Sequence, residues 1–319
     1  MPRGDDERRR TRIDELDRYQ VVGTLGVGGM GVVFDAVDTL TRRPVALKFS
    51  LATPQSAHAA KQRLDREAEA MIRSNDRRVC TVYDVADCDG WPCIAMERLD
   101  GRTLQAKLTA GPLDTFDVID VAAEIAGALA AVHRAGLVHQ DIKPANVFVT
   151  TDGHIKLLDF GLAVPCGSLP AGPGWGCKTG RPSVLGTTNY ISPERILRLP
   201  ADPRSDLFSL GAVVYEMAAG RPPFAARSTA DALMNVLESD PPAIGRLQSA
   251  TARALDRLAR TLLEKDPDLR CQSAAEVRKA LLALRKGRSH SAGRVTFRRS
   301  IHTRSTRHDS VDATCAHVH

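Results

Sequence analysis

Seven short segments spread over residues 26–206 constrain this chain more than its composition does. They are Gly26-x-Gly28-x-x-Gly31-x-Val33, Val45-Ala46-Leu47-Lys48, Glu67, His139-Gln140-Asp141-Ile142-Lys143-Pro144-Ala145-Asn146, Asp159-Phe160-Gly161, Ser192-Pro193-Glu194 and Asp206. Singly each is weak, because a glycine triplet or a lone Asp-Phe-Gly arises by chance. Together they bring backbone that can approach an anion, two lysines, several carboxylates and an amide oxygen. A fold that uses them must carry these groups from distant stretches of chain to one place.

The first part of the chain reads as β-rich. Tyr19–Leu25, Gly31–Asp38 and Pro44–Ser50 alternate in polarity and are rich in Val, as strands are. Ser56 is placed to cap a helix reaching Arg73. Two more strands, Val79–Asp87 and Trp91–Glu97, flank Asp89-Gly90, a hairpin signal. Past Gly101 the pattern turns helical. Asp114–Ala135 has apolar residues at helical spacing and Gly136 as its stop. Asp206–Ala219 is a second apolar helix, ended by Gly220 and Pro222-Pro223, and Thr251–Leu263 and Ser273–Leu284 are amphipathic. The Gly- and Pro-rich stretch 164–186 is a long loop, a feature that is usually functional or disordered. The fold class expected is α+β: a small β-rich lobe with one main helix (19–99) and a larger, mostly helical lobe (100–284). A charged arm (1–18) precedes them, and a basic disordered tail (285–319) follows.

With 319 residues, 43% of them hydrophobic, the chain is long enough for a sizeable core. No apolar run approaches the roughly 20 residues of a membrane-spanning helix, and the N-terminus has no secretory h-region, so a cytoplasmic protein is expected. The seven cysteines fit no zinc spacing and read as reduced thiols, with a redox bridge between Cys166 and Cys177 as the alternative. The tail holds eight basic and two acidic residues and so carries the whole net charge of +6. The neutral body gives no sign of nucleic-acid binding. The tail has three readings: a solvated extension, an arm for nucleic acid or an anionic surface, or a set of autophosphorylation sites. Nothing in the pattern assigns an oligomeric state.

The ordered segments make the chain similar to Ser/Thr protein kinases, most closely the bacterial Hanks-type (eukaryotic-like) branch, over residues 19–284. The resemblance implies a bilobal kinase fold and transfer of the γ-phosphoryl of ATP to Ser or Thr hydroxyls of protein substrates, itself included, in intracellular signalling. It implies ATP and Mg²⁺ in the cleft, with Mn²⁺ as an alternative ion.

It also implies roles, residue by residue. Leu25, Gly26, Val27, Gly28, Gly29, Met30, Gly31, Val32 and Val33 form the loop over the phosphates. A glycine-rich hairpin without ligand is the bland alternative. A dinucleotide-binding loop would need a helix straight after the glycines, whereas Val32-Val33-Phe34 continues as strand. Lys48 would grip the α/β-phosphates and pair with a glutamate on the helix, Glu67 in preference to Glu69. Asp141 would take or orient the proton of the acceptor hydroxyl, Lys143 would steady the γ-phosphate, and Thr187 would hydrogen-bond both. Asn146 would offer an amide oxygen to one Mg²⁺ and Asp159 a carboxylate to the other, hard oxygen ligands that suit this ion. Val33, Ala46 and Phe148 would sandwich the adenine, Met96 would back the pocket, and the backbone of Glu97 and Leu99 would read the base edge. Glu194 and Arg270 would form a buried structural pair. Asp206 would either cap its own helix or hold the backbone before Asp141. Gln140 departs from the family, which has Arg there to bind a phosphate on the loop after Asp159. Gln cannot do so, and activity without strict dependence on loop phosphorylation is expected.

Overall fold

A computed structural model describes residues 18–28, 31–50, 57–88, 91–169, 188–244 and 249–286. Ser56, Asp89-Gly90, Cys177 and the tail beyond Lys286 therefore lie outside the described residues, as do Thr187, Gly29 and Met30.

The small lobe is one antiparallel sheet in the order β1-β2-β3-β5-β4, made of β1 (Tyr19–Gly28), β2 (Gly31–Asp38), β3 (Arg43–Phe49), β4 (Val82–Cys88) and β5 (Trp91–Glu97). Helix α1 (Ala57–Ser74) lies between β3 and β4 in the chain. Register divides the side chains between the two faces, because paired residues share a face and successive residues alternate. Ala36, Val45, Leu47, Phe49, Cys93 and Ala95 fall on one side and close a small core with Tyr19. Ile94 falls on the other side and packs against Leu64 and Ala68 of α1. Lys48 pairs directly with Ile94 and so shares the α1 side. The predicted strand at Val79 begins later, at Val82. Val79 and Cys80 instead hydrogen-bond with Asp76 and with Leu157 of the large lobe.

The large lobe continues through β6 (Gly101–Thr103), α2 (Leu104–Leu108), α3 (Thr115–Arg134), β7 (Leu137–Val138), a 3₁₀ turn at Pro144–Asn146, β8 (Val147–Thr150), β9 (Ile155–Leu157) and β10 (Val164–Pro165). It ends with α4 (Pro193–Ile196), α5 (Pro203–Ala219), α6 (Thr229–Glu238), α7 (Ala250–Leu262) and α8 (Ala274–Lys286). Asp114 caps α3 by accepting the N–H groups of Phe116 (2.7 Å) and Asp117 (3.1 Å). Gly136 stops it at φ +74°, a conformation that glycine adopts without strain. Helices α3 and α5 are buried on most sides, as helices central to a core are. The core of this lobe also takes in Ala70, Met71, Val79 and Cys80, so the two lobes share apolar packing.

The start of α5 differs from the sequence reading. It opens at Pro203 with Asp202 as cap, whose carboxylate accepts Arg204 N–H at 2.7 Å. Asp206 is a turn further in, buried, and its carboxylate turns elsewhere. The capping alternative for Asp206 is thereby corrected, because the proline fixes the first turn three residues earlier. None of the helices among the described residues is long and apolar enough to cross a membrane.

Glu194 and Arg270 meet inside the large lobe in a fork, Nη1 to Oε1 at 2.7 Å and Nη2 to Oε2 at 2.8 Å. Ser205 Oγ donates to Oε1 at 2.6 Å, and Arg270 also donates to the carbonyls of Arg204, Glu264 and Lys265. Burial would push the Glu194 carboxyl up. The Arg270 guanidinium outweighs burial and holds it below its ordinary 4.5. Removing one partner leaves an uncompensated buried charge, so Arg270→Met is expected to cost about 3–5 kcal/mol, and the double variant Glu194→Leu/Arg270→Met less than that. Because the folded-state pKa is depressed, the pair's contribution is complete above pH 4.5 and is lost as pH falls through the lower folded value. Urea unfolding at pH 7 and pH 4 measures both effects; an Arg270→Met variant as stable as the parent at pH 7 would contradict them.

Candidate active site

The sheet register lines up the predicted cleft residues on one face. Val33, Lys48 and Ile94 form one cross-strand row, and Asp35, Ala46 and Met96 form the next row of the same parity. Lys48 Nζ donates to Glu67 Oε1 at 2.5 Å and to Asp159 Oδ1 at 3.2 Å. Glu67 is 3% exposed, and Met71, one turn on, is in the core. Glu69 points outward to Arg73 at 4.0 Å, and this settles which glutamate faces the lysine. Burial opposes the charge on Lys48, but the two carboxylates prevail and raise its pKa. Burial likewise opposes charge on Asp159. Lys48 and the Gly161 N–H outweigh it, and the carboxyl lies below its ordinary value.

The loop after β7 holds the second half of the site. Asp141 is buried and accepts from Lys143 Nζ at 2.7 Å and from Asn146 Nδ2 at 2.8 Å. Asn146 Nδ2 also reaches the Asp141 carbonyl, which leaves the amide oxygen of Asn146 as the atom able to meet a cation. The two halves join at Leu158, whose N–H donates to the Asn146 carbonyl at 2.9 Å immediately before Asp159. Glu67, Lys48 and Asp159 thus form one polar group and Asn146, Asp141 and Lys143 a second, and the backbone hydrogen bond from Leu158 to Asn146 joins the segments that carry them. Among the described residues no three His, Cys, Asp or Glu side chains gather into a metal cage. The oxygens present suit an ion that keeps waters or phosphates as further ligands, as Mg²⁺ does.

Asp206 positions this loop from below. Its Oδ2 accepts the His139 N–H at 2.8 Å and His133 Nε2 at 2.9 Å, and its Oδ1 accepts the Gln140 N–H at 2.8 Å. Fully buried, the carboxyl would be pushed up; the His133 contact and the loop N–H groups hold it below its ordinary value. Gln140 is left-handed at φ +65°, a conformation costing about 1–2 kcal/mol for a residue with a Cβ. The carboxylate of Asp206 is what keeps it there. Asp159 shares this conformation at φ +60°, which Asp tolerates better.

The glycines have different reasons. A Cβ on Gly31 would lie 1.9 Å from the Phe49 carbonyl oxygen, so the β2–β3 contact itself demands glycine. A Cβ on Gly26 or Gly28 would meet no protein atom within 4 Å, so packing makes no such demand there. Leu25 and Val27 flank them and are exposed, and Val32 is half-buried. Met96, Leu99 and Phe148 are half-buried. The N–H of Glu97 is taken by the Thr81 carbonyl at 2.9 Å, and its side chain accepts Thr81 N–H at 2.7 Å and Lys156 Nζ at 2.5 Å. A base-edge contact from Glu97 therefore falls to its carbonyl alone. Sequence reasoning missed His133, Arg195, Lys156 and the Arg98–Asp35 pair, with Nε to Oδ1 at 3.0 Å. Each is a single polar residue without a motif, brought in by tertiary packing.

Comparison with known proteins is consistent with this architecture. The family model described as "Protein kinase domain" matches residues 19–281. The probable serine/threonine-protein kinase PknB of Corynebacterium glutamicum is 35% identical over 286 residues, 86% of this chain and 44% of that protein. The serine/threonine-protein kinase PknL of Mycobacterium bovis is 36% identical over 253 residues, 78% of this chain and 61% of that protein. A probable serine/threonine-protein kinase of Streptomyces coelicolor is 36% identical over 266 residues, 82% of this chain and 39% of that protein. The chain spans about half the length of these curated relatives.

The glycine contrast is testable without ligand. Gly31→Ala should lower the melting midpoint by several degrees, since backbone must shift to admit the methyl group. Gly26→Ala should stay within about 0.5 kcal/mol of the parent, as surface substitutions do. Equal losses in differential scanning calorimetry would refute the distinction.

Proposed function

The chain belongs to the protein kinase family, and we propose that it transfers the γ-phosphoryl group of Mg²⁺-ATP to Ser or Thr hydroxyls of proteins, including its own. The observation that carries the proposal is the pair of polar groups Glu67–Lys48–Asp159 and Asn146–Asp141–Lys143, whose segments are tied together by the Leu158 N–H to Asn146 carbonyl hydrogen bond. The relatives named above supply the acceptor class, and Lys143 followed by Pro144 matches the Ser/Thr pattern.

Phosphoryl transfer is mostly positioning and charge neutralisation. Lys48, held between Glu67 and Asp159, presents an ammonium to the α/β-phosphates from the sheet side. Val33, Ala46, Met96 and Phe148 cover the adenine. When bound, Mg²⁺ would supply charge neutralisation on the phosphate oxygens, with Asn146 Oδ1 and an Asp159 carboxylate oxygen as the protein oxygens that would hold it. The acceptor hydroxyl oxygen forms the new bond to the γ-phosphorus as the bond to the β–γ bridging oxygen breaks. The hydroxyl proton passes to Asp141, and Lys143, 2.7 Å from Asp141, offsets charge on the group in transit. Thr187, which lies outside the described residues, joins Asp141 and Lys143 by resemblance alone. Neutral Gln140 cannot bind a phosphate on the loop after Asp159, and activity without strict dependence on loop phosphorylation follows from this reading. An ATP-dependent role inside the cytoplasm fits this reading.

Asp141→Asn should lower transfer about 10²–10⁴-fold, the range of general-base contributions, while Mg²⁺-ATP binding persists. Purified protein, γ-labelled ATP and a generic basic acceptor, followed by mass mapping of phosphosites, test this. Label on Ser and Thr in the parent and loss in the variant support the proposal. Nucleotide binding with no transfer by the parent would make the chain a binding module instead.

A further inference from the structure

The peptide group joining Gln140 to Asp141 is the last rigid unit before the proposed base. Its N–H donates to His139 Nδ1 at 3.2 Å. Its carbonyl accepts Nη1 of Arg195, which comes from α4, 55 residues further along the chain. The preceding N–H groups, those of His139 and Gln140, are held by Asp206. Both edges of the peptide plane are thus held, and the plane sets the direction in which the Asp141 side chain departs. Gln140 is left-handed, so its carbonyl does not find a partner by continuing a helix or ladder.

Arg195 is an unusual donor for that place. It is half-buried at the surface of α4, next to Glu194, whose carboxylate is taken by Arg270. Burial lowers its pKa, partly offset by the carboxylates of Asp141, Asp206 and Glu194, none of which forms an ion pair with it. A guanidinium remains charged under such burial. A half-buried cation with no paired carboxylate among the described residues costs stability unless its N–H groups are used. The use on view is the Gln140 carbonyl.

We infer that Arg195 is a positioning residue for phosphoryl transfer: it fixes the Gln140–Asp141 peptide plane and so aims the Asp141 carboxylate at the acceptor hydroxyl. The inference rests on the reading of Asp141 given under Proposed function. It adds that the cation serving this loop is built into α4. Gln140 itself contributes backbone groups to the arrangement and no charge.

The test uses the full chain with Arg195→Met, Arg195→Gln and Arg195→Lys. Steady-state kcat and KM for ATP are measured with the same basic acceptor protein, Kd for Mg²⁺-ATP by calorimetry, and melting midpoints alongside. Misplacing a reacting group by about 1 Å costs up to about 10²-fold. Arg195→Met is therefore expected to lower kcat about 10–100-fold, with Kd for Mg²⁺-ATP within about threefold of the parent. Gln and Lys each keep an N–H donor and are expected to recover part of that loss. Were Arg195→Met unable to fold, the other two would decide: kcat lowered at unchanged Kd supports the inference. A Met variant within twofold of the parent in kcat overturns it, as does a loss of kcat matched by an equal loss of nucleotide affinity, or identical kcat in all three variants. Asp141→Asn is run beside them. Should that variant keep the parent rate, the reading of Asp141 fails; should it lose activity while the Arg195 variants keep theirs, only the positioning role fails.

Discussion

A buried ammonium is costly to leave alone, and the arrangement of both lobes follows from how this chain compensates one. Lys48 stands on the α1 side of the sheet with Glu67 at 2.5 Å and Asp159 at 3.2 Å. These three residues come from β3, α1 and the segment after β9. Desolvating an isolated ion costs several kcal/mol, so the lysine is tolerable only where both acids reach it. That requirement fixes the rotation of α1 on the sheet, since only one helical face can offer Glu67 while Leu64 and Ala68 cover Ile94. It also fixes where the segment after β9 must lie. The shared apolar packing of Met71, Val79 and Cys80 with the large lobe makes the placement rigid.

A second buried charge does the same for the loop after β7. Asp206 sits inside α5, and its two oxygens take two consecutive loop N–H groups and His133 of α3. Anchoring a loop from a buried helix gives it the precision of the core. The Glu194–Arg270 fork holds α4 to the same lobe, and α4 in turn delivers Arg195 to the loop. The site therefore stands on three buried carboxylates, Glu67, Glu194 and Asp206, and none of the three need touch a reactant.

Much of this was legible in the sequence, for identifiable reasons. Strand alternation gave the sheet, and the apolar spacing of Asp114–Ala135 gave α3 to within a residue. Ordered motifs gave the polar groups, because the reaction chemistry restricts residue type at each position. The placement of α5 was misjudged at its start, because Asp206 resembles a cap and Asp202-Pro203 was the stronger signal. The choice between Glu67 and Glu69 needed the packing of α1. His133, Lys156 and Arg195 were invisible, because a lone polar residue on a helix or strand carries no periodic signal. Their partners are decided by how elements cross, which depends on contacts across 55 to 73 residues of chain.

The central claim is that Lys48, Asp141, Asn146 and Asp159 surround one metal-nucleotide. Crystals grown with Mn²⁺ and a non-hydrolysable ATP analogue, measured at the manganese edge, test it most directly. The account predicts an anomalous peak between Asn146 Oδ1 and the Asp159 carboxylate, with the triphosphate within reach of Lys48 Nζ and of Lys143. A manganese peak away from Asn146 and Asp159, or a nucleotide bound outside the face shared by Val33, Ala46 and Lys48, would contradict it.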